Sequence, residues 1–218
     1  MAMSAAGVRA VFLVGFMGSG KNTVGRELAH RLAWDFVDLD ARIEARERQA
    51  IPEIFRLQGE HAFRLAETSA LRDLLANALA RPSVVALGGG AFVQGKNREL
   101  LRAWPSVFLD APAEEHWRRC LQDEAESGVR RPLRTDPEQF ARLHAERLPF
   151  YREASLVVET SGKEVAAICL EIERALELRK APDDAAADSS RNQNEEVPAG
   201  DRATPKSSST SLKTGEFH

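Results

Sequence analysis

The chain has 218 residues, 43% hydrophobic and 29% charged, a composition ordinary for a soluble globular protein and long enough for one well-cored domain with a tail. Its net charge of −3 arises entirely after residue 180, where seven acidic residues stand against four basic ones, so the body is neutral and offers no overall footprint for nucleic acid. No apolar run could span a bilayer, no secretory leader opens the chain, and Cys120 and Cys169 lack metal-like spacing and read as free thiols, so a cytoplasmic protein is expected, with neither membrane nor nucleic-acid partners.

The first predicted element is an apolar strand over residues 10–14. It runs into Gly15, Phe16, Met17, Gly18, Ser19, Gly20, Lys21, Asn22 and Thr23, and a helix is predicted over 22–32. A buried strand, a Gly-rich turn and a helix whose start carries a lysine predict a phosphate cradle. Its backbone N–H groups turn inward, the helix adds the positive end of its dipole, and Lys21 adds a full charge. A turn that merely needs its glycines would explain Gly15 and Gly20 but not the lysine. One position departs from the pattern: where Ser or Thr would bind Mg²⁺, the chain has Asn22, with Thr23 following. A second strand over 34–38 ends in Asp38, Leu39 and Asp40, before a helix over 41–47. Both carboxylates then lie at the carboxyl edge of a parallel sheet, where ligands gather, unless Asp40 only caps the helix.

Residues 51–55 start a short helix that Gly59 interrupts, and a longer helical face follows over 60–80, with Arg64 and Glu67 one turn apart. A third strand over 83–87 ends in Gly88, Gly89 and Gly90, and three glycines in succession suggest close approach of main chain to a ligand. Next come a helix over 96–103, a strand over 107–110 and a helix opened by Pro112 that carries Arg118 and Arg119. Periodicity fails over 122–134, which reads as a mobile basic flap holding Arg130, Arg131, Pro132 and Arg134. Asp136 caps a helix running through Arg147, a last strand covers 156–159, and Ser161 with Glu164 caps a helix reaching about residue 179. The body is therefore set at 1–180. Residues 181–218, with Phe217 their one aromatic, are expected to form a disordered tail.

Five alternations of strand with helix predict an α/β fold, a parallel sheet covered on both faces. On that scaffold a bound triphosphate needs a metal, a cation for the transferred phosphoryl group and an acceptor held in line. The sequence offers Asn22 and Asp38 for the metal, Arg131 on the flap for the cation and Asp40 as a base. Arg64 and Arg147, if both face the same mouth, are suited to clamp an anionic group on the acceptor. Residue chemistry thus reaches a nucleotide-dependent kinase of a small acidic molecule and stops there.

Several stretches taken together are similar to the shikimate kinase family. They are residues 15–25, the Asp38, Leu39, Asp40 triplet, Ile54 and Phe55 with Gly59, Glu60, Phe63 and Arg64, then Leu87 with the three glycines, Arg131-Pro132-Leu133, and Arg147-Leu148-Pro149-Phe150-Tyr151. The resemblance covers about residues 9–175, with a longer flap. It implies a three-layer α/β/α P-loop kinase of the nucleoside-monophosphate-kinase type with a five-stranded parallel sheet, generally monomeric. The implied activity is ATP-dependent phosphorylation of the 3-hydroxyl of shikimate with Mg²⁺, on the route to chorismate and the aromatic amino acids.

Carried onto this sequence, the resemblance places Gly18, Ser19, Gly20, Lys21, Asn22 and Thr23 on ATP, with Arg119 against adenine and Arg131 on the phosphates when the flap closes. Asp40 would bind the shikimate hydroxyls and take the proton, and Arg64 and Arg147 would hold the carboxylate. Gly88, Gly89, Gly90, Phe55, Phe63, Glu67, Pro132 and Leu133 would complete the pocket, and Asp38 would meet Mg²⁺ through water. Two other readings stay open: a kinase of the same architecture for gluconate or a nucleoside monophosphate, or, because of Asn22, a nucleotide-binding regulator with impaired catalysis.

Overall fold

The computed structural model describes residues 8–77, 81–127 and 136–181. Strand β1 (Ala10–Val14) lies at the centre of the sheet and is buried along its whole length. Its side chains alternate between two separate cores. Ala10, Phe12 and Val14 join one cluster with Leu39, Leu71, Leu74, Phe108 and Phe140, while Val11 and Leu13 join another with Val24, Leu28, Val107 and Ile172. An apolar run without polar alternation is what a strand covered on both faces requires, and each such buried side chain stabilises by about 1.5–3 kcal/mol.

The remaining strands are β2 (Asp35–Asp38), β3 (Ser83–Ala86), β4 (Ser106–Asp110) and β5 (Leu156–Glu159), in the order β2-β3-β1-β4-β5. All four pairings are parallel. The strand order reverses at β1, which places the ligand crevice beyond its carboxyl end. Helices α1 (Lys21–Leu32) and α7 (Val165–Ala175) cover one face. On the other face lie α3 (Ile51–Asn77), α4 (Gly95–Leu101), α5 (Ala113–Ser127) and α6 (Pro137–Tyr151), with α2 (Leu39–Glu47) at the edge. The expected five-stranded, three-layer fold is therefore present.

Several boundaries differ from the sequence expectation for identifiable reasons. The cap of α2 is Asp38, whose side chain accepts from the N–H groups of Asp40 and Ala41, so the helix begins at Leu39 and Asp40 lies inside its first turn. At Gly59 the expected interruption is present: its φ of 83° and ψ of 170° are non-helical, a conformation open to glycine, and α3 consists of two helical segments joined across this kink. A 3-10 turn, Ala91–Val93, follows the three glycines. Helix α5 continues to Ser127, so the first part of the expected flap is helical, polar residues being compatible with a turn that faces solvent. The rest of the flap, from residue 128, lies outside the described residues, as does the tail from 182. No helix among the described residues is long and apolar enough to cross a membrane, and both cysteines are buried free thiols.

Helix α7 stops at Ala175, four residues before the expected end, and Glu164 rather than Ser161 stands at its N-cap. Beyond it the chain returns to the start of β2. Trp34 Nε1 donates to Arg179 O at 3.2 Å and Ala181 N donates to Leu32 O at 2.8 Å, while Leu176, Leu178 and Ala181 pack on the second core. Ending the chain after Ala175 rather than after Ala181 should therefore cost about 2 kcal/mol, read as a melting temperature lower by about 5 °C. Equal melting temperatures for the two truncations would show that this segment contributes nothing.

Candidate active site

The groups singled out by sequence on the described residues gather around the segments that follow the strands, some on those segments themselves and others on α3, α5 and α6. After β1, the loop of residues 15–20 turns through positive φ at Gly15, Gly18 and Gly20. At Gly18 the reason is also steric, since a Cβ would lie 2.5 Å from His116 O and 2.8 Å from Cys120 Sγ on α5. Gly20 is the left-handed N-cap of α1, and no side chain caps that helix. Its first turn thus presents backbone N–H groups and the positive dipole end. Lys21 Nζ spans the loop, donating to Gly15 O at 3.0 Å, Phe16 O at 2.9 Å and Ser19 Oγ at 3.2 Å.

The loop rests on an aromatic layer. Phe16 meets Phe140 edge-on at 4.9 Å and His144 at 5.3 Å, and His144 lies 5.4 Å from His116. Burial pushes the His116 imidazole down to about 4, and the charges of Lys21 and Arg119 act in the same direction. A neutral ring is the form compatible with a position beside the lysine.

After β2, Asp38 joins two elements. One carboxylate oxygen caps α2, and the other accepts from Asn22 Nδ2 at 2.7 Å. A carboxylate can only accept, so the amide of Asn22 turns its NH₂ to Asp38 and directs its own oxygen elsewhere. Capping by Asp38 leaves the Asp40 side chain pointing at Gly88, where a Cβ would collide with its Oδ1 and lie 3.2 Å from Glu67 Oε1.

After β3, Gly90 makes way for the guanidinium of Arg64, whose Nη1 would lie 2.5 Å from an added Cβ. Gly89 faces the other arginine: its carbonyl accepts from the Tyr151 hydroxyl and lies 3.5 Å from Arg147 Nη1. Arg64 pairs with Glu67 at 3.1 Å and with Glu60 at 3.1 Å. The Arg64–Glu67 pair is no surface pair, because Glu67 is fully buried and also accepts from Gln94 Nε2 at 2.5 Å. Burial pushes the Glu67 carboxyl up to about 7 despite the opposing charge of Arg64. Phe55 and Phe63 lie against each other at 4.7 Å beside this group.

Arg119 on α5 binds the segment after β5, with Nη1 3.3 Å from Thr160 Oγ1 and Nη2 3.3 Å from Thr160 O, and it pairs with Glu115 at 2.5 Å. Arg131, Pro132 and Leu133 lie outside the described residues. Sequence reasoning gave no role to Tyr151, Gln94 or Thr160. Tyr151 could have been noticed, because a tyrosine among core residues must find a partner for its hydroxyl. Gln94 and Thr160 carry no signal beyond their nearness to the glycine run and to a strand end.

A parallel sheet with a glycine loop and lysine at the switch-point helix, and with carboxylate and arginine groups gathered opposite, defines a P-loop phosphotransferase acting on a small anionic acceptor. The family model for shikimate kinase matches residues 17–177. A shikimate kinase of Geobacter metallireducens is 45% identical over 176 residues, 79% of this chain and 94% of that one. One from Moorella thermoacetica is 41% identical over 169 residues, 76% of this chain and 93% of that one. Among solved structures, shikimate kinase of Acinetobacter baumannii in complex with shikimate superimposes with a TM-score of 0.69 at 37% identity, covering 78% of this chain and 94% of the other. The chain belongs to the shikimate kinase family.

The raised carboxyl of Glu67 has a measurable consequence. A group that holds its proton more tightly folded than unfolded contributes stability that is complete below the unfolded value and is lost as pH rises through the folded one. Stability of the ligand-free protein should therefore decline between pH 4.5 and about 7 through Glu67. Glu67→Gln should flatten that part of a plot of melting temperature against pH. The same slope in both proteins would mean that Glu67 titrates normally.

Proposed function

We propose that this protein transfers the γ-phosphoryl group of ATP to the 3-hydroxyl of shikimate, giving shikimate 3-phosphate and ADP. The observation that carries the reading is the convergence of Asp40, Arg64 and Arg147 on the three glycines after β3, opposite the phosphate loop. Loop N–H groups, the start of α1 and Lys21 bind the phosphates, with Ser19, Asn22, Thr23, Arg119 and, from the flap, Arg131 on the nucleotide. Arg64 and Arg147 hold the carboxylate of shikimate. Glu67 supports this by its burial, which raises its carboxyl to about 7, so that it offsets less of the Arg64 charge than an ordinary carboxylate would. Asp40 takes the proton of the attacking hydroxyl, while Lys21 and Arg131 stabilise the charge spread over the transferred group. Phe55, Phe63, Gly88, Gly89, Gly90, Pro132 and Leu133 shape the pocket.

The donor set also suits Mg²⁺, a hard ion that prefers oxygen and keeps several waters. Asn22 Oδ1 and Asp38 would hold it, the amide being fixed by its bond to Asp38. When bound, the ion neutralises charge on the β- and γ-phosphates. The amide oxygen stands one atom further from the main chain than a hydroxyl would, which weakens the fit without abolishing it.

Arg64→Ala and Arg147→Ala should each raise the KM for shikimate about 10- to 100-fold, the loss of about 1.5–3 kcal/mol expected for a charged hydrogen bond, with the KM for ATP little changed. Equal damage to both substrates would assign the arginines to structure. Asp40→Asn should lower kcat by about 10²-fold or more while keeping much of the binding, and normal turnover would remove Asp40 from the mechanism. Asn22→Ser should tighten Mg²⁺ binding about tenfold, measured by calorimetric titration of metal into the ATP complex and by the Mg²⁺ concentration at half-maximal rate. Superimposable titrations would exclude the side chain at 22 from the metal.

A further inference from the structure

The two halves of the acceptor pocket come from segments far apart in the chain. One is the glycine run with the turn Ala91–Val93, and the other is the end of α6, where Arg147 and Tyr151 stand. Arg98 on α4 lies outside the pocket and touches both. Its Nη1 donates to Phe92 O at 3.0 Å and to Val93 O at 2.6 Å. Its Nε lies 2.8 Å from Glu153 Oε2, two residues beyond Tyr151, and its guanidinium sits 4.9 Å from the centre of the Phe150 ring. Helix α4 and the turn are themselves one piece, because Asn97 Nδ2 donates to Ala91 O at 3.0 Å and Arg98 N to Gln94 O at 3.1 Å.

We propose that Arg98, together with Glu153, is a positioning residue for shikimate, clasping the shelf of residues 88–93 to the end of α6 and so setting Arg64 and Gly90 at the right separation from Arg147. Tyr151 and Arg147 already join α6 to Gly89, and the clasp adds a second tie at the turn Ala91–Val93. Beside it lies a cavity of about 330 Å³ lined in part by Phe92, Arg98, Trp104, Ser106, Glu153 and Ser155, so the residues just after α6 are not packed tightly on that side and the clasp is what bridges it. The guanidinium suits the task because separate nitrogens of one rigid, permanently charged fork serve the turn and the carboxylate at once. A lysine would bring one compact charge and would have to choose between them. As an ordinary ion pair the contact would contribute little to stability, since the Glu153 side chain is 54% exposed. Its value lies in geometry, where a displacement of about 1 Å in a binding group is costly.

The proposal rests on the placement of Arg147 and Gly89 at the shikimate site, and the test separates the two. Glu153→Ala cuts the α6 arm at a half-exposed position and leaves the turn carbonyls served. It should raise the KM for shikimate about five- to tenfold, with kcat and the KM for ATP within about twofold of the parent and melting temperature nearly unchanged. Arg98→Lys should fall between the parent and Arg98→Ala in the same parameter, and it supplies a folded variant if the alanine form is unstable. An unchanged KM for shikimate in Glu153→Ala overturns the clasp, as does a rise in both KM values that tracks a lower melting temperature. Arg147→Ala measured alongside identifies which idea has failed. If it raises the KM for shikimate while Glu153→Ala does not, the clasp alone is wrong, and if neither does, the placement of Arg147 is wrong and the clasp falls with it.

Discussion

The acceptor side of this enzyme depends on a steric constraint: main chain without side chains at the end of β3. Asp40 occupies the space that a Cβ at 88 would need, and Arg64 the space of a Cβ at 90. Gly89 is different, since a Cβ there would meet nothing closer than 3.7 Å, so no neighbouring side chain requires a glycine at 89, while its carbonyl serves Tyr151 and Arg147. Charged groups from α2, α3 and α6 can therefore approach one short segment of backbone. The entropy that three glycines lose on folding is offset by the packing of β3, which is buried along its length between β2 and β1.

Around that segment the charges are graded rather than simply paired. Glu67 is buried and its carboxyl is raised to about 7, which weakens its offset of Arg64, whereas Asp38 has an N–H donor on each of its carboxylate oxygens. Behind the phosphate loop, His116 stays neutral where a second cation would oppose Lys21. Desolvation raises a carboxyl and lowers an imidazole, so one shift reduces a negative charge beside Arg64 and the other removes a positive charge beside Lys21.

The sheet, the phosphate loop and the strand-end carboxylates were legible because they are written in local pattern: apolar runs ending in glycine, and an aspartate pair directly after a strand. Which aspartate caps α2 was not legible, since Asp38 and Asp40 are only two positions apart and the observed start at Leu39 decides between them. The reach of α5 to Ser127 was hidden because its last turns have no apolar face to reveal a period. Glycine at 59 signalled a break, and the break is present as a kink between two helical segments, the second of which packs on the core through Phe63, Ala70, Leu71 and Leu74. Arg98 was illegible for another reason. Two of its partners are main-chain oxygens, which any residue supplies, and the third, Glu153, lies 55 residues away on another segment.

Helices α5 and α6 are each fastened to the site before the interval between them begins. His116 O on α5 abuts Gly18, and Arg119 grips Thr160. At its own start α6 is capped by Asp136, and at its end it is tied by Tyr151 and Arg147 to Gly89. The interval from 128 to 135 therefore connects two points whose positions are already decided. Doubling the length of such a connection costs only about 0.6 kcal/mol in closure entropy. In evolutionary terms this is a place where length can change at little cost to the fold and without re-aiming the groups that α2, α3 and α6 bring to the sheet edge, so the limit on divergence there is set by the reach of Arg131, Pro132 and Leu133 rather than by folding.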